Sequence, residues 1–134
     1  MASVGHPRRS FGFGPAGVAA RAVEERFGEC TSVLSWRGSL GTEGADALHI
    51  AIDRAVEDGF CDLVIDLTQA FDVTPYLAVV LLNAQRLTVP EHGFVCIAAD
   101  DVTKRLLQFT ALSTVWPVEP TRGAALAHVL GRPI

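Results

Sequence analysis

The sequence predicts a single α/β domain with a mixed β-sheet and about four helices. Three observations point there. After an opening pair of strand-like segments, helix and strand signals alternate to the end of the chain. That order builds a sheet with parallel members joined by helical crossovers. Two of the strand segments, residues 61–67 (CDLVIDL) and 94–99 (FVCIAA), are short continuous apolar runs. Such runs suit strands covered on both faces. Finally, the 134 residues are 49% apolar and only 19% charged, against about 25% charged in an ordinary soluble domain. The length suits one domain whose core buries roughly two-thirds of the unfolded surface.

The elements follow in order. Residues 1–17 hold four Gly and two Pro and read as a mobile arm. The domain proper is expected over residues 18–134. Residues 18–23 (VAARAV) form a short strand, and residues 24–29 (EERFGE) a turn centred on Gly28. Residues 30–36 (CTSVLSW) alternate as a strand, with Thr31, Val33 and Ser35 on one face and Cys30, Ser32, Leu34 and Trp36 on the other. Gly38 breaks it. A helix follows with Thr42 as N-cap, Leu48, Ile52, Ala55 and Val56 at helical spacing, and Asp58-Gly59 as its end.

The buried strand 61–67 comes next, then a helix over residues 75–87. Pro90 and Gly93 punctuate before the strand 94–99. Asp100 or Asp101 caps a third helix running to about Ala111, with Leu106, Leu107 and Ala111 inward. Residues 115–118 form a short strand. Thr121 caps a fourth helix over residues 122–130, stopped by Gly131 and Pro133. No internal repeat is visible.

Composition excludes several classes of function. A net charge of −4 and a pI near 5.5 speak against nucleic acid, whose binders carry basic patches. They also remove the electrostatic case for an anionic membrane surface. The longest apolar stretch, residues 76–82, is far short of the roughly 18 residues that cross a bilayer. The N-terminus has no apolar run behind its Arg pair, so it reads as no secretory signal. Cys30, Cys61 and Cys96 are odd in number and widely spaced. They read as buried free thiols of a cytoplasmic protein, not as a zinc site.

Catalytic chemistry is equally hard to find. The chain has no GxxxxGK[ST] loop and no GxGxxG behind a strand. Its serines lack a GxSxG context. His49, with Asp46 at i−3 and Asp53 at i+4, reads as a solvated helix face. Asp66 is expected to end its strand and to accept backbone hydrogen bonds from the next loop. No cofactor, no metal and no enzyme activity are expected.

The informative segment is residues 63–87, LVIDLTQAFDVTPYLAVVLLNAQRL. A buried strand ends at Asp66, and Asp72-Val73-Thr74-Pro75 opens a helix whose first turns are nearly all apolar. Local structure accounts for that tetrapeptide: Thr74 as N-cap, Pro75 at the first helical position, Asp72 near the positive end of the helix dipole. The order of motifs also resembles the STAS domain of bacterial anti-sigma-factor antagonists. Gly38-Ser39-Leu40-Gly41 matches that family's Gly-x-Leu-Asp except at Gly41. Residues 64–86 match its apolar strand, D-[ST]-[ST]-G turn and Leu/Val-rich helix. Residues 94–130 match its closing strand, helix, strand and helix.

The resemblance implies a fold and a role. In the family the second hydroxyl of the turn is phosphorylated by the anti-sigma factor, itself a protein kinase. Here Asp72 takes the Asp position, Val73 the first hydroxyl position, Thr74 the phosphorylated one and Pro75 the Gly. Val73 leaves Thr74 as the only acceptor in the motif, and Pro75 removes a backbone N–H. The implied partners are an anti-sigma-factor serine/threonine kinase, a phosphatase for reversal, and a second copy in a homodimer. Asp72, Val73, Thr74, Pro75 and Tyr76 form the implied contact. Two other roles fit the same fold: an unphosphorylated scaffold or sensor-complex subunit, and an accessory protein for small-ligand or lipid transport.

Overall fold

A computed structural model describes residues 8–13, 20–109 and 116–131. Six strands form one sheet among these residues, in the order β1-β2-β3-β4-β5-β6. They are β1 (Arg8–Phe13), β2 (Ala20–Phe27), β3 (Thr31–Ser39), β4 (Asp62–Phe71), β5 (Phe94–Ala98) and β6 (Val118–Glu119). β1, β2 and β3 run antiparallel, and β3 to β6 run parallel. The helices are α1 (Thr42–Glu57), α2 (Tyr76–Thr88), α3 (Asp101–Phe109) and α4 (Arg122–Leu130).

Topology decides how the faces are covered. Each crossover from β3 onward steps to the next strand in the same direction. Right-handed crossovers of that kind put their helices on one face. The main core accordingly packs Leu48 and Ile52 of α1, Leu77 and Leu81 of α2 and Leu107 of α3 on Leu34, Trp36, Leu63, Ile65 and Ile97. Among the described helices only α4, which follows the last strand, lies on the other face. There Ala125 and Val129 pack on Val33, Val64, Cys96 and Ala98. β5 and residues 63–67 of β4 are thus buried on both sides, as their unbroken apolar runs predict.

Several boundaries differ from the expectation. β1 lies inside the segment read as a mobile arm, because pairing along β2 organises a run too short and Gly-punctuated to register as a strand. β2 continues through Glu24 and Glu25 to Phe27, and the turn begins only at Gly28, whose φ is +66°. Buried Glu24 was unforeseen as a strand residue. Ser32 Oγ donates to its carboxylate at 2.6 Å and Arg26 Nε at 2.9 Å. β3 runs through Gly38, which takes φ +112° inside the strand. Gly41, not Thr42, is the N-cap of α1. β4 runs past Asp66 to Phe71. The positions of Ala111 and Val115 lie outside the described residues.

The thiols also differ. Cys96 is buried, but Cys61 is half-buried and Cys30 is exposed on the β2–β3 turn. No helix among the described residues is long and apolar enough to cross a membrane.

Candidate functional site

The site is built where the C-terminal ends of β3 and β4 meet the first turn of α2. Leu40 N donates to Phe71 O at 2.7 Å, fastening the two strand ends together. Asp72 then reverses the chain in the left-handed region, with φ +55°. Aspartate tolerates this conformation better than most residues. Its carboxylate accepts a hydrogen bond from Ser39 Oγ at 3.2 Å. Ser39 belongs to the Gly38-Ser39-Leu40 motif. The two motifs singled out in the sequence, 33 residues apart, therefore touch.

Val73 is half-buried against the main core. Thr74 differs from the expected N-cap. Its main-chain carbonyl accepts from Leu77 N at 3.0 Å, but its hydroxyl caps nothing. Thr74 Oγ1 is buried and has no hydrogen-bond partner. The N-cap is Pro75, already helical at φ −59° and ψ −19°, with no side-chain cap bond. Pro75 takes the helical φ that its ring presets, while the Thr74 hydroxyl turns inward and leaves the first helical N–H groups without a side-chain cap. Asp72 is drawn to Ser39 instead of to the helix end.

Tyr76 extends the site onto α1. Its hydroxyl donates to Asp46 Oδ1 at 2.8 Å. That hydrogen bond to a carboxylate pushes the phenol up from its ordinary pKa, because ionisation would place two anions side by side. Farther along, Asn83 Nδ2 lies 3.1 Å from His49 Nε2. His49 also approaches Asp53 at 3.2 Å. Thus Asp46 and Asp53, read together with His49 from their spacing, divide their contacts. Asp46 serves Tyr76, and Asp53 serves His49. Among the described residues, no group of three or more His, Cys, Asp or Glu is placed to hold a metal ion.

Around this turn the surface is apolar. Phe71 and Val79 are each 57% exposed, Leu82 37% and Tyr76 36%. Tyr76, Val79 and Leu82 are spaced three apart on α2, so they line one outward stripe. The opposite side, with Leu77, Ala78, Val80, Leu81 and Ala84, is buried. Large apolar groups clustered on a surface mark sites of protein contact. The five expected contact residues, Asp72 to Tyr76, sit together at one end of this stripe. Phe71, Ser39 and Asp46 were missed as members. The first needs the true end of β4, and the other two need the sheet register that brings β3 and α1 alongside.

Comparison with known proteins bears on the fold. No protein-family profile and no curated protein sequence matches the chain. Solved structures do. An anti-sigma factor antagonist from Mycobacterium paratuberculosis superposes with a TM-score of 0.75 at 28% identity, over 86% of this chain and 97% of that one. The anti-sigma factor antagonist SpoIIAA in its unphosphorylated form gives 0.69 at 15% identity, over 84% and 99%. The Bacillus cell fate determinant SpoIIAA in its phosphorylated form gives 0.62 at 14% identity, over 81% and 98%. The chain therefore has the STAS fold of the anti-sigma factor antagonists, the family its motifs resemble.

Proposed function

We propose that this protein is an anti-sigma-factor antagonist. It docks an anti-sigma-factor serine/threonine kinase with the Asp72–Tyr76 turn and the outward stripe of α2, and phosphorylation of Thr74 releases it. Unmodified, the domain holds the kinase and frees a sigma factor. The observation that carries this reading is the contiguity of the turn with exposed Phe71, Tyr76, Val79 and Leu82. The similarity to SpoIIAA, solved in both unphosphorylated and phosphorylated forms, supports a switch of the same kind.

The physics of release is local. A phosphate adds about −1.5 to −2 charge and three acceptor oxygens. The domain tolerates it, because the start of α2 carries the positive end of the helix dipole. A partner seated on the apolar stripe does not, because it would have to desolvate the new charge. A coupling of about 3 kcal/mol changes affinity by more than a hundredfold. The inward hydroxyl sets one condition: Thr74 must turn its Oγ1 outward before a kinase reaches it.

The same inward hydroxyl favours a second reading, an unphosphorylated scaffold that uses the stripe permanently. One experiment separates the two. The domain is incubated with its kinase and ATP, and phosphate is mapped by mass spectrometry. Phosphate on Thr74, with Thr74→Glu weakening kinase binding, is the expected result. Stable kinase binding without phosphate on Thr74 establishes the scaffold. No binding by either form refutes both.

A further inference from the structure

The face of the sheet opposite the docking stripe carries a cleft that the switch does not use. α4 is nine residues long and covers only the part of this face around Val33, Val64, Cys96 and Ala98. Toward the C-terminal ends of β3 and β4 no described helix covers this face. A cavity of about 440 Å³ opens there, lined in part by Ser35, Arg37, Asp66, Gln69, Glu25 and Arg122. That volume lies in the range of small-molecule sites.

A β-bulge shapes its floor. Ser35 pairs with Asp66, but Arg37 pairs with Gln69. Two steps along β3 therefore match three along β4, which leaves one extra residue on β4. Asp66 holds the bulge by accepting from Thr68 N at 3.0 Å and Thr68 Oγ1 at 2.7 Å. Bulges re-aim side chains and recur beside binding sites.

Depth separates this cleft from an ordinary wet sheet face. Asp66 is only 7% exposed. Its other oxygen accepts from Ser35 Oγ at 3.2 Å, so the carboxylate is engaged on both sides. Glu25 is engaged too, by the guanidinium of Arg122. Arg37 is different. It is exposed and makes no ion pair among the described residues. Both acids are thus occupied and one guanidinium is open, a fork that fits two oxygens of an anion.

We propose that this cleft binds a small organic anion, with a carboxylate or phosphate group on Arg37 and the body of the molecule over Ser35 and Gln69. The site is independent of the docking stripe, so either can fail without the other. The test is a titration of the isotope-labelled full chain, followed by the amide resonances of Ser35, Arg37, Asp66, Gln69 and Arg122. Inorganic phosphate and malate are the two probes, with sodium chloride at matched ionic strength as reference.

Saturable shifts confined to these residues, and weakened about tenfold or more by Arg37→Ala, are the expected result. Tighter binding of phosphate assigns a phosphorylated ligand, and tighter binding of malate a carboxylic acid. Shifts no larger than those from sodium chloride overturn the proposal. So do shifts that Arg37→Ala leaves unchanged. Should that variant fail to fold, Gln69→Ala replaces it with the same expected direction.

Discussion

Thr74 holds its hydroxyl inside the protein with nothing to bond to. A buried polar group left unpaired costs about 1 to 3 kcal/mol. Thr74→Val keeps the shape and removes the unpaired oxygen, so it is expected to stabilise the fold by about 1 kcal/mol. A rise in the urea unfolding midpoint checks this. A fall would mean that the hydroxyl bonds after all. Nearby, Asp72 holds a left-handed backbone that most side chains avoid. Two locally unfavourable choices, at Asp72 and Thr74, therefore sit two positions apart in the turn the proposed switch uses. Segments that keep such strain are often functional. The identities of these residues were plain in the sequence. The direction of the Thr74 side chain was not, because local signals favour an outward cap and only the folded turn shows the hydroxyl inside.

Among the elements, α1 and α4 show how capping distributes stability. Thr121 Oγ1 accepts from Ala124 N at 3.0 Å, as the pattern before Arg122 predicts. Thr121→Ala should lose about 1 kcal/mol. Thr42 looks like an equally good cap in the sequence, yet Gly41 occupies the cap position of α1. Thr42→Ala should therefore change stability by less than about 0.5 kcal/mol. Paired thermal melts of the two variants test the assignment. The start of β5 depends on a different device. A Cβ on Gly93 would sit 2.1 Å from the carbonyl oxygen of Cys61, while Phe94 N donates to that same oxygen at 3.1 Å. Gly93 was visible as punctuation, but the reason for it is Cys61, just before β4 and more than thirty residues earlier.

Taken as one body, the fold ties its antiparallel end to the end of α1 through a part-buried arginine shared by two carboxylates. Arg26 links Glu24 at 2.9 Å to Asp58 at 2.7 Å and lies 4.2 Å over the Phe60 ring. Burial opposes the charge on Arg26, but the hydrogen bonds to Glu24 and Asp58 outweigh it and hold its pKa above the ordinary value. Arg26→Ala leaves buried Glu24 without its cation but with the Ser32 hydroxyl still donating to it, so a loss of about 1 to 3 kcal/mol is expected in equilibrium unfolding.

On the other face, burial pushes the Cys96 thiol from 9.0 up to about 11. The folded chain then keeps a proton that the unfolded chain has already lost. This contribution is fully present below about pH 9 and is lost as pH climbs through about 11. Unfolding free energies measured across that window should fall less steeply for Cys96→Ala. An unchanged slope would show that the thiol is not the group responsible.

Fold class, the four helices, the doubly buried runs of β4 and β5 and the place of the turn before α2 could all be read from the chain alone. Each rests on local signals: apolar runs, helical spacing, and Gly, Pro and Thr at element ends. β1, the burial of Glu24, the contact between Ser39 and Asp72 and the cleft below Arg37 could not. Each depends on which strands become neighbours and in what register. Register is set by the packing of whole faces, and one extra residue in β4 is enough to move Gln69 opposite Arg37. The linear order of residues carries the first kind of information directly. The second kind exists only once the sheet has closed.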